Sequence, residues 1–180
     1  KHFYSSIDGW FNYASIYLEA VRQAPKAASF VEIGSWKGRS AAFMGVEIVN
    51  SGKQIALHCV DTWSPPDEPW YRDDPDVKAG NLYETFLRNV APVRHVLTPH
   101  RMASVEAARE FEDGSLFFVM VDGTHSYEAV RDDIVAWRPK LAPGGIMAGD
   151  DTQWAGVLDA AKDAFGSAVT VRGQQWIVRT

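Results

Sequence analysis

The sequence predicts an α/β fold: a mostly parallel sheet with helices on both faces and an antiparallel hairpin strand at its C-terminal edge. Three observations carry this reading. Short apolar runs alternate with helix-spaced segments from residue 30 onward. Two of those runs, Leu116 to Val121 and Ile146 to Ala148, lead into carboxylates, Asp122 and the pair Asp150-Asp151. Buried parallel strands read as such continuous runs, and open sheets of this class bind ligands at their carboxyl ends. The last two runs are joined only by Arg172-Gly173-Gln174-Gln175, a connector that fits an antiparallel hairpin.

Taken in order, Phe30 to Ile33 reads as the first strand, Arg39 to Asn50 as a helix and Ile55 to Val60 as the second strand. Val93 to Leu97 follows as a third strand, Ser104 to Phe111 as a helix and Leu116 to Val121 as the fourth strand. Tyr127, Val130, Ile134 and Trp137 then recur at helical spacing, and the helix stops before Pro139 and a Pro143-Gly144-Gly145 turn. Ile146 to Ala148 is the fifth strand, about Gly156 to Phe165 a helix, and Ala168 to Val171 with Trp176 to Val178 the closing hairpin. Ahead of the sheet, Ile7, Trp10, Phe11, Ala14, Tyr17, Leu18 and Val21 form an apolar stripe at helical spacing. It predicts, within residues 1–25, a helix packed on the sheet rather than a membrane or partner helix, because no basic face accompanies it. Ser64 to Gly80 carries Pro65, Pro66, Pro69 and Pro75 with Trp70 and Tyr71, and is too long and irregular for a routine connection. It reads as a lid or a disordered insert. Without repeats or a linker, residues 1–180 are expected to form one domain.

Composition narrows the function. The 180 residues are 46% apolar and 12% aromatic with a formal net charge of −5, enough to bury a full core without staples. No Lys/Arg cluster is present to neutralise phosphates along a groove, which argues against nucleic acid and anionic membranes and for a small-molecule or neutral substrate. No apolar stretch approaches a membrane span. Cys59, the only cysteine, can form no internal disulfide and fits a reducing, cytoplasmic setting. Lys1 stands where a complete chain would carry methionine, which leaves room for a trimmed segment ahead of it; a homo-oligomer also stays open.

Glu32-Ile33-Gly34-Ser35-Trp36-Lys37-Gly38-Arg39-Ser40 follows the first strand and opens the first helix. Glycine at such a turn lets the backbone approach a ligand. The dinucleotide fingerprint is absent, since Trp36 is bulky and Glu32 adds negative charge where a pyrophosphate would come close. A cationic, phosphate-free cofactor such as S-adenosylmethionine suits these residues better. Asp61, at the end of the second strand, is placed to accept hydrogen bonds from ribose hydroxyls.

The segments Val-Glu-Ile-Gly-Ser-Trp-Lys-Gly-Arg-Ser, Val-Asp-Thr-Trp, Val-Asp-Gly-Thr-His-Ser-Tyr and Pro-Gly-Gly-Ile-Met-Ala-Gly-Asp-Asp resemble the class I S-adenosylmethionine-dependent methyltransferases. Within these, the chain resembles the group of macrocin-type and mycinamicin-type sugar O-methyltransferases and cephalosporin hydroxylase-like proteins. The resemblance runs from Phe30 to the C-terminal hairpin and implies a Rossmann-like, seven-stranded sheet. It implies that Glu32, Gly34, Ser35 and Gly38 line the methionine part of the cofactor, that Asp61 holds the ribose, and that Ser104 lies near adenine with Asp122 also at the cofactor. It further implies a metal site at Asp122, Asp150 and Asp151. Related proteins often have Glu-Asp where this chain has Asp150-Asp151.

Each of these residues has a structural alternative. Glu32 could form a salt bridge beneath the sheet edge, and Asp61 could cap the turn after its strand. Neighbouring residues on a regular strand point to opposite faces, so Asp150 and Asp151 share an ion only if the backbone turns there; otherwise Asp151 caps the following helix. His125 is either a helix-cap or core histidine, or the general base, with Asp122 beside it in the catalytic site. His58 reads as structural, and His100 is the histidine outside the motifs expected nearest the cleft. Trp63, Trp70 and Tyr71 either stack on a sugar or aryl substrate or hold their loop down. The expected activity is a metal-assisted O-methyltransferase using Mg²⁺ or another hard divalent cation. The alternatives are a hydroxylase or oxidoreductase on the same scaffold, or a non-catalytic module.

Overall fold

The computed structural model describes residues 1–64, 71 and 73–180. Its centre is a seven-stranded sheet in the order β3-β2-β1-β4-β5-β7-β6. The strands are β1 (Ala27–Ile33), β2 (Gln54–Asp61), β3 (Leu97–Arg101), β4 (Leu116–Val121), β5 (Leu141–Gly149), β6 (Thr170–Arg172) and β7 (Gln175–Arg179). The first five pair in parallel, and β7 runs antiparallel to both β5 and β6. After β1 the chain builds outward to β2 and β3, then returns to place β4 on the other side of β1. The two directions diverge between the carboxyl ends of β1 and β4, where such sheets open a crevice.

Two apolar layers cover the sheet, and the period of two along each strand assigns residues to them. Phe30, Phe118 and Met120 face a layer with Tyr13, Tyr17, Met44 and Phe86. Val31, Ile33, Val119 and Val121 face the other, with Val130, Ile134, Trp137 and Val157. The first layer is covered by α1 (Ala14–Gln23), α2 (Arg39–Ser51) and α4 (Leu82–Asn89), while α5 (Ser104–Ala107), α6 (Tyr127–Trp137) and α7 (Ala155–Phe165) supply the second. Ser126 caps α6 by accepting from the Ala129 N–H, and left-handed Gly38 and Gly52 bound α2.

The structure departs from the sequence reading at particular places. The stripe from Ile7 to Val21 is not one helix: α1 starts at Ala14, Gly9 has φ 128°, and Trp10 is 72% exposed. A residue at that φ cannot continue a helix, and the Arg39 guanidinium holds the segment there by donating to the Gly9 carbonyl at 2.7 Å. The third strand is β3, not Val93 to Leu97. Pro92 starts a 3₁₀ turn over Ala91–Val96, and Pro99 sits inside an edge strand, where a missing N–H is tolerated. The Pro143-Gly144-Gly145 segment belongs to β5, whose register against β4 shifts between Leu116 and Phe118. Past Ala107 the helix after β3 tightens into a 3₁₀ turn, Ala108–Glu110, and another over Gly166–Ala168 precedes β6. Within the expected lid, α3 (Pro75–Ala79) is a short helix capped by Asp74; Pro65, Pro66, Pro69 and Trp70 lie outside the described residues.

Lys37 joins three of these pieces. Its buried ammonium lies 3.2 Å from Asp8, 2.6 Å from Asp74 and 2.8 Å from Asp76, linking the N-terminal segment and α3 to the β1–α2 turn. These partners hold its pKa above the ordinary lysine value against the opposing effect of burial. Lys37→Met should lower unfolding stability by about 3 kcal/mol in urea titrations, because it leaves Asp74 and Asp76 facing each other without a cation.

Candidate active site

At the end of β1, period two turns Glu32 toward the same face as Phe30, where it is fully buried. The Tyr17 hydroxyl donates to Glu32 Oε2 at 2.5 Å. Burial pushes the Glu32 carboxyl up, with the Tyr17 bond working against it. Glu32 Oε1 and Ser35 Oγ are buried outside good hydrogen-bond geometry, while the Ser35 and Ser40 hydroxyls close to the carboxyl also work against the rise of its pKa. Gly34 has φ 84°, and a Cβ there would stand 2.0 Å from the Asp122 carbonyl oxygen. Only glycine allows the β1 turn and the end of β4 to approach this closely. Gly38, at φ 86°, is confined less severely, by side chains, its Cβ position 2.7 Å from Val90.

Asp61 ends β2 between two loops. Its Oδ2 accepts from the Trp36 N–H at 2.9 Å and its Oδ1 from the Trp63 N–H at 2.7 Å, while the Trp63 indole donates to the Trp36 carbonyl at 2.7 Å. Trp36 and Trp63 are both left-handed, at φ 47° and 46°. Asp61 therefore does cap its turn, and each oxygen keeps a lone pair for a ribose hydroxyl. Burial raises its pKa. Ser104 opens α5 and accepts from the Trp137 indole at 2.8 Å. Beneath it Asp133 is buried on α6, with Oδ2 3.8 Å from where a Gly123 Cβ would be.

The remaining acids meet at the ends of β4 and β5. Asp122, Asp150 and Asp151 each bring a carboxylate oxygen to within 4.8 Å of the others, so the short Asp150 side chain does reach. Asp151 has φ 64°; this left-handed residue supplies the backbone turn that two adjacent aspartates need to converge. The Tyr13 hydroxyl donates to Asp122 Oδ2 at 2.6 Å, Gln175 donates to Asp150 Oδ1 at 2.7 Å, and His125 Nε2 lies 2.8 Å from Asp151 Oδ2. Burial, and then the charges of Asp150, Asp151 and Glu32, push the Asp122 carboxyl well up despite the Tyr13 bond. Burial also raises Asp150, whereas for Asp151 the His125 contact outweighs burial and holds the carboxyl down. Three mutually repelling oxygen donors fit a hard divalent cation, which would remove that repulsion. His125 stacks against Trp154 at 5.8 Å.

Gly34 thus meets the end of β4, Asp61 meets the turn after β1, and the three expected metal residues form one cluster at the ends of β4 and β5. His100 instead pairs with His58 and Glu110, both at 2.9 Å. Burial, then His100, lowers the His58 pKa to about 4. Trp63 packs on Tyr83 and Phe86, and Tyr71 contacts Trp10 and Trp36. Tyr13, Tyr17, Lys37 and Gln175 were not legible as site residues. The available hint was the i, i+4 spacing of the two tyrosines on a buried helix face, since a buried hydroxyl needs a partner.

Residues 31–152 match a family described as a methyltransferase domain. The chain belongs to this methyltransferase-domain family. It is 26% identical over 154 residues to the uncharacterized protein y4gI of Sinorhizobium fredii, an alignment covering 84% of this chain but only 16% of that protein. Among solved structures, the O-methyltransferase NovP superposes with a TM-score of 0.65 at 16% identity, over 92% of this chain and 78% of its own. The calicheamicin methyltransferase CalS11 gives 0.64 at 16% identity, over 92% and 76%. A methyltransferase from Geobacter sulfurreducens gives 0.62 at 11% identity, over 96% and 79%. At these identities the likeness is one of fold, and it is the fold expected for a class I methyltransferase.

Burial raises the Asp133 pKa to about 6 from 3.8. A raised carboxyl favours the folded state fully below pH 4 and loses that contribution as pH rises through 6. The span corresponds to about 3 kcal/mol. Asp133→Asn should therefore stabilise the protein at pH 7.5 by about 1–3 kcal/mol, with the gain shrinking toward pH 4 in urea titrations at each pH.

Proposed function

We propose that this domain transfers a methyl group from S-adenosylmethionine to a hydroxyl of a small molecule or sugar, assisted by a divalent cation, Mg²⁺ being the expected one. The observation that carries the reading is the convergence of Asp122, Asp150 and Asp151, with His125 against Asp151, beside the crevice of a methyltransferase-domain fold. A sugar acceptor is supported by one structural neighbour, CalS11, a TDP-rhamnose 3′-O-methyltransferase. Residues 1–180 act as one domain in this reading, in the cytoplasm; among the described residues no helix is long and apolar enough to cross a membrane.

When bound, S-adenosylmethionine supplies an electrophilic methyl group, and the cation supplies positive charge that lowers the pKa of the acceptor hydroxyl. Glu32 and Ser35 hold the methionine end, and Gly34 and Gly38 let the turn close on it. Asp61 receives the ribose hydroxyls and Ser104 borders the adenine. Asp122, Asp150 and Asp151 hold the cation. His125 takes the hydroxyl proton, its ring oriented by Asp151 and Trp154. The chain contributes mainly the alignment of the two reactants.

Calorimetric titration with S-adenosylhomocysteine should show micromolar binding; its absence would remove the reading. Asp122→Asn should leave that affinity within about threefold while methyl transfer to TDP-rhamnose or to catechol falls by about 100-fold. Unchanged transfer would reject the cation site.

A further inference from the structure

We propose that the Ser104 hydroxyl reads the 6-amino group of the cofactor's adenine as a pure acceptor, with Asp133 and Trp137 as the positioning residues that leave it no proton to donate. This rests on the reading of the crevice as an S-adenosylmethionine site. Trp137 is fully buried, and its indole, which can only donate, gives its N–H to Ser104 Oγ at 2.8 Å. Ser104 is also hydrogen-bonded to Asp133, and that bond works against the rise of the carboxyl's pKa, as donation to the charged form does. A serine hydroxyl has one proton and two lone pairs. With the proton given to Asp133 and one lone pair taken by Trp137, Ser104 keeps a single lone pair.

The fold puts Ser104 within reach of a base. The Met102 N–H donates to the Asp61 carbonyl at 3.1 Å, so the chain leaving β3 passes beside the residue expected to hold the ribose. Ser104 follows two residues later, at most about 7 Å further along the chain. Asp133 comes to the same place from α6: it is only 7% exposed, and its Oδ2 lies 3.8 Å from where a Gly123 Cβ would stand, just past the end of β4. At pH 7.5 its carboxyl, with a pKa of about 6, is ionised and holds the Ser104 proton. Adenine carries an amine at position 6, and hypoxanthine, otherwise nearly the same shape, carries a carbonyl there. An amine donates to the lone pair of Ser104. A carbonyl oxygen would meet that lone pair with a carboxylate behind it, and a site built to pair with one polar group rejects an analogue that leaves it unpaired. The same three residues also tie α5 to α6, so the preference for the amine is what separates reading the base from merely holding the helices together.

The test is calorimetric titration of the purified protein at pH 7.5 with S-adenosyl-L-homocysteine and, separately, S-inosyl-L-homocysteine, for wild type, Asp133→Leu and Ser104→Ala, with thermal unfolding as the check of fold. Wild type should prefer the adenine ligand by about 30-fold. Asp133→Leu frees the Ser104 proton, so the inosyl ligand should gain affinity while the adenosyl ligand loses it, and the ratio should fall to about threefold. Ser104→Ala should lower the ratio to about the same value through loss of the adenosyl ligand alone. Both affinities lowered alike in Asp133→Leu, at an unchanged ratio, would mark a merely structural role and overturn the proposal, as would a wild type that binds the two ligands equally. Should Asp133→Leu not fold, Ser104→Ala decides, and an unchanged ratio there overturns it. If wild type binds neither ligand, the methyltransferase reading falls and this inference falls with it; binding of S-adenosyl-L-homocysteine with an unaltered ratio in the variants defeats the inference alone.

Discussion

Carboxylates crowded at one edge of the sheet are the constraint from which most of this structure follows. Glu32, Asp61, Asp122, Asp133 and Asp150 all carry pKa values raised mainly by burial. A charge taken from water must find donors or a counter-ion, or stay protonated. The nearby chain is organised as a supply of donors: phenol hydroxyls from the N-cap and first turn of α1, backbone N–H groups from two strained tryptophans, an amide from β7 and an imidazole just ahead of α6. None of these is a neighbour in sequence of the acid it serves, apart from Trp63 beside Asp61.

The N-terminal segment is therefore built into this acidic edge rather than appended to it, through Tyr13 on Asp122 and Tyr17 on Glu32. Lys37 gathers Asp8, Asp74 and Asp76 around one ammonium, so the segment ahead of α1 and the residues entering α3 are fastened to the turn that follows β1. A single lysine thereby ties two segments distant in sequence to the turn between β1 and α2. The segment's aromatic residues, with Trp10 against Tyr71 and Tyr71 against Trp36, extend the same fastening toward the rim.

Much of this was legible in the sequence because the strongest signals are local. An apolar run ending on an acid places that acid at a strand end, and Glu32, Asp61, Asp122 and Asp150 all stand there. The convergence of Asp150 and Asp151 was legible only as a condition, that the backbone must turn, and φ 64° at Asp151 meets it. Pairings that decide how the acids are held span long separations, 109 residues for Tyr13 to Asp122 and 25 for Gln175 to Asp150, and no local pattern encodes them. Strand boundaries failed where proline and glycine misled. Pro99 hid an edge strand, and Pro143-Gly144-Gly145 resembled a turn while forming the first part of β5. The helical stripe ahead of α1 failed at Gly9, whose conformation is fixed by its tertiary partner Arg39.

The clamp at Asp61 gives the molecule an optical property. Two tryptophans at unfavourable backbone angles depend on one carboxylate, each through its backbone N–H, and the Trp63 indole also donates to the Trp36 carbonyl. Left-handed geometry in a bulky residue persists only where its surroundings enforce it. Any ligand that draws on the oxygens of Asp61 perturbs the hydrogen bonds of both tryptophans at once. A change at the Asp61 oxygens thus reaches two of the protein's indole chromophores through their own backbones.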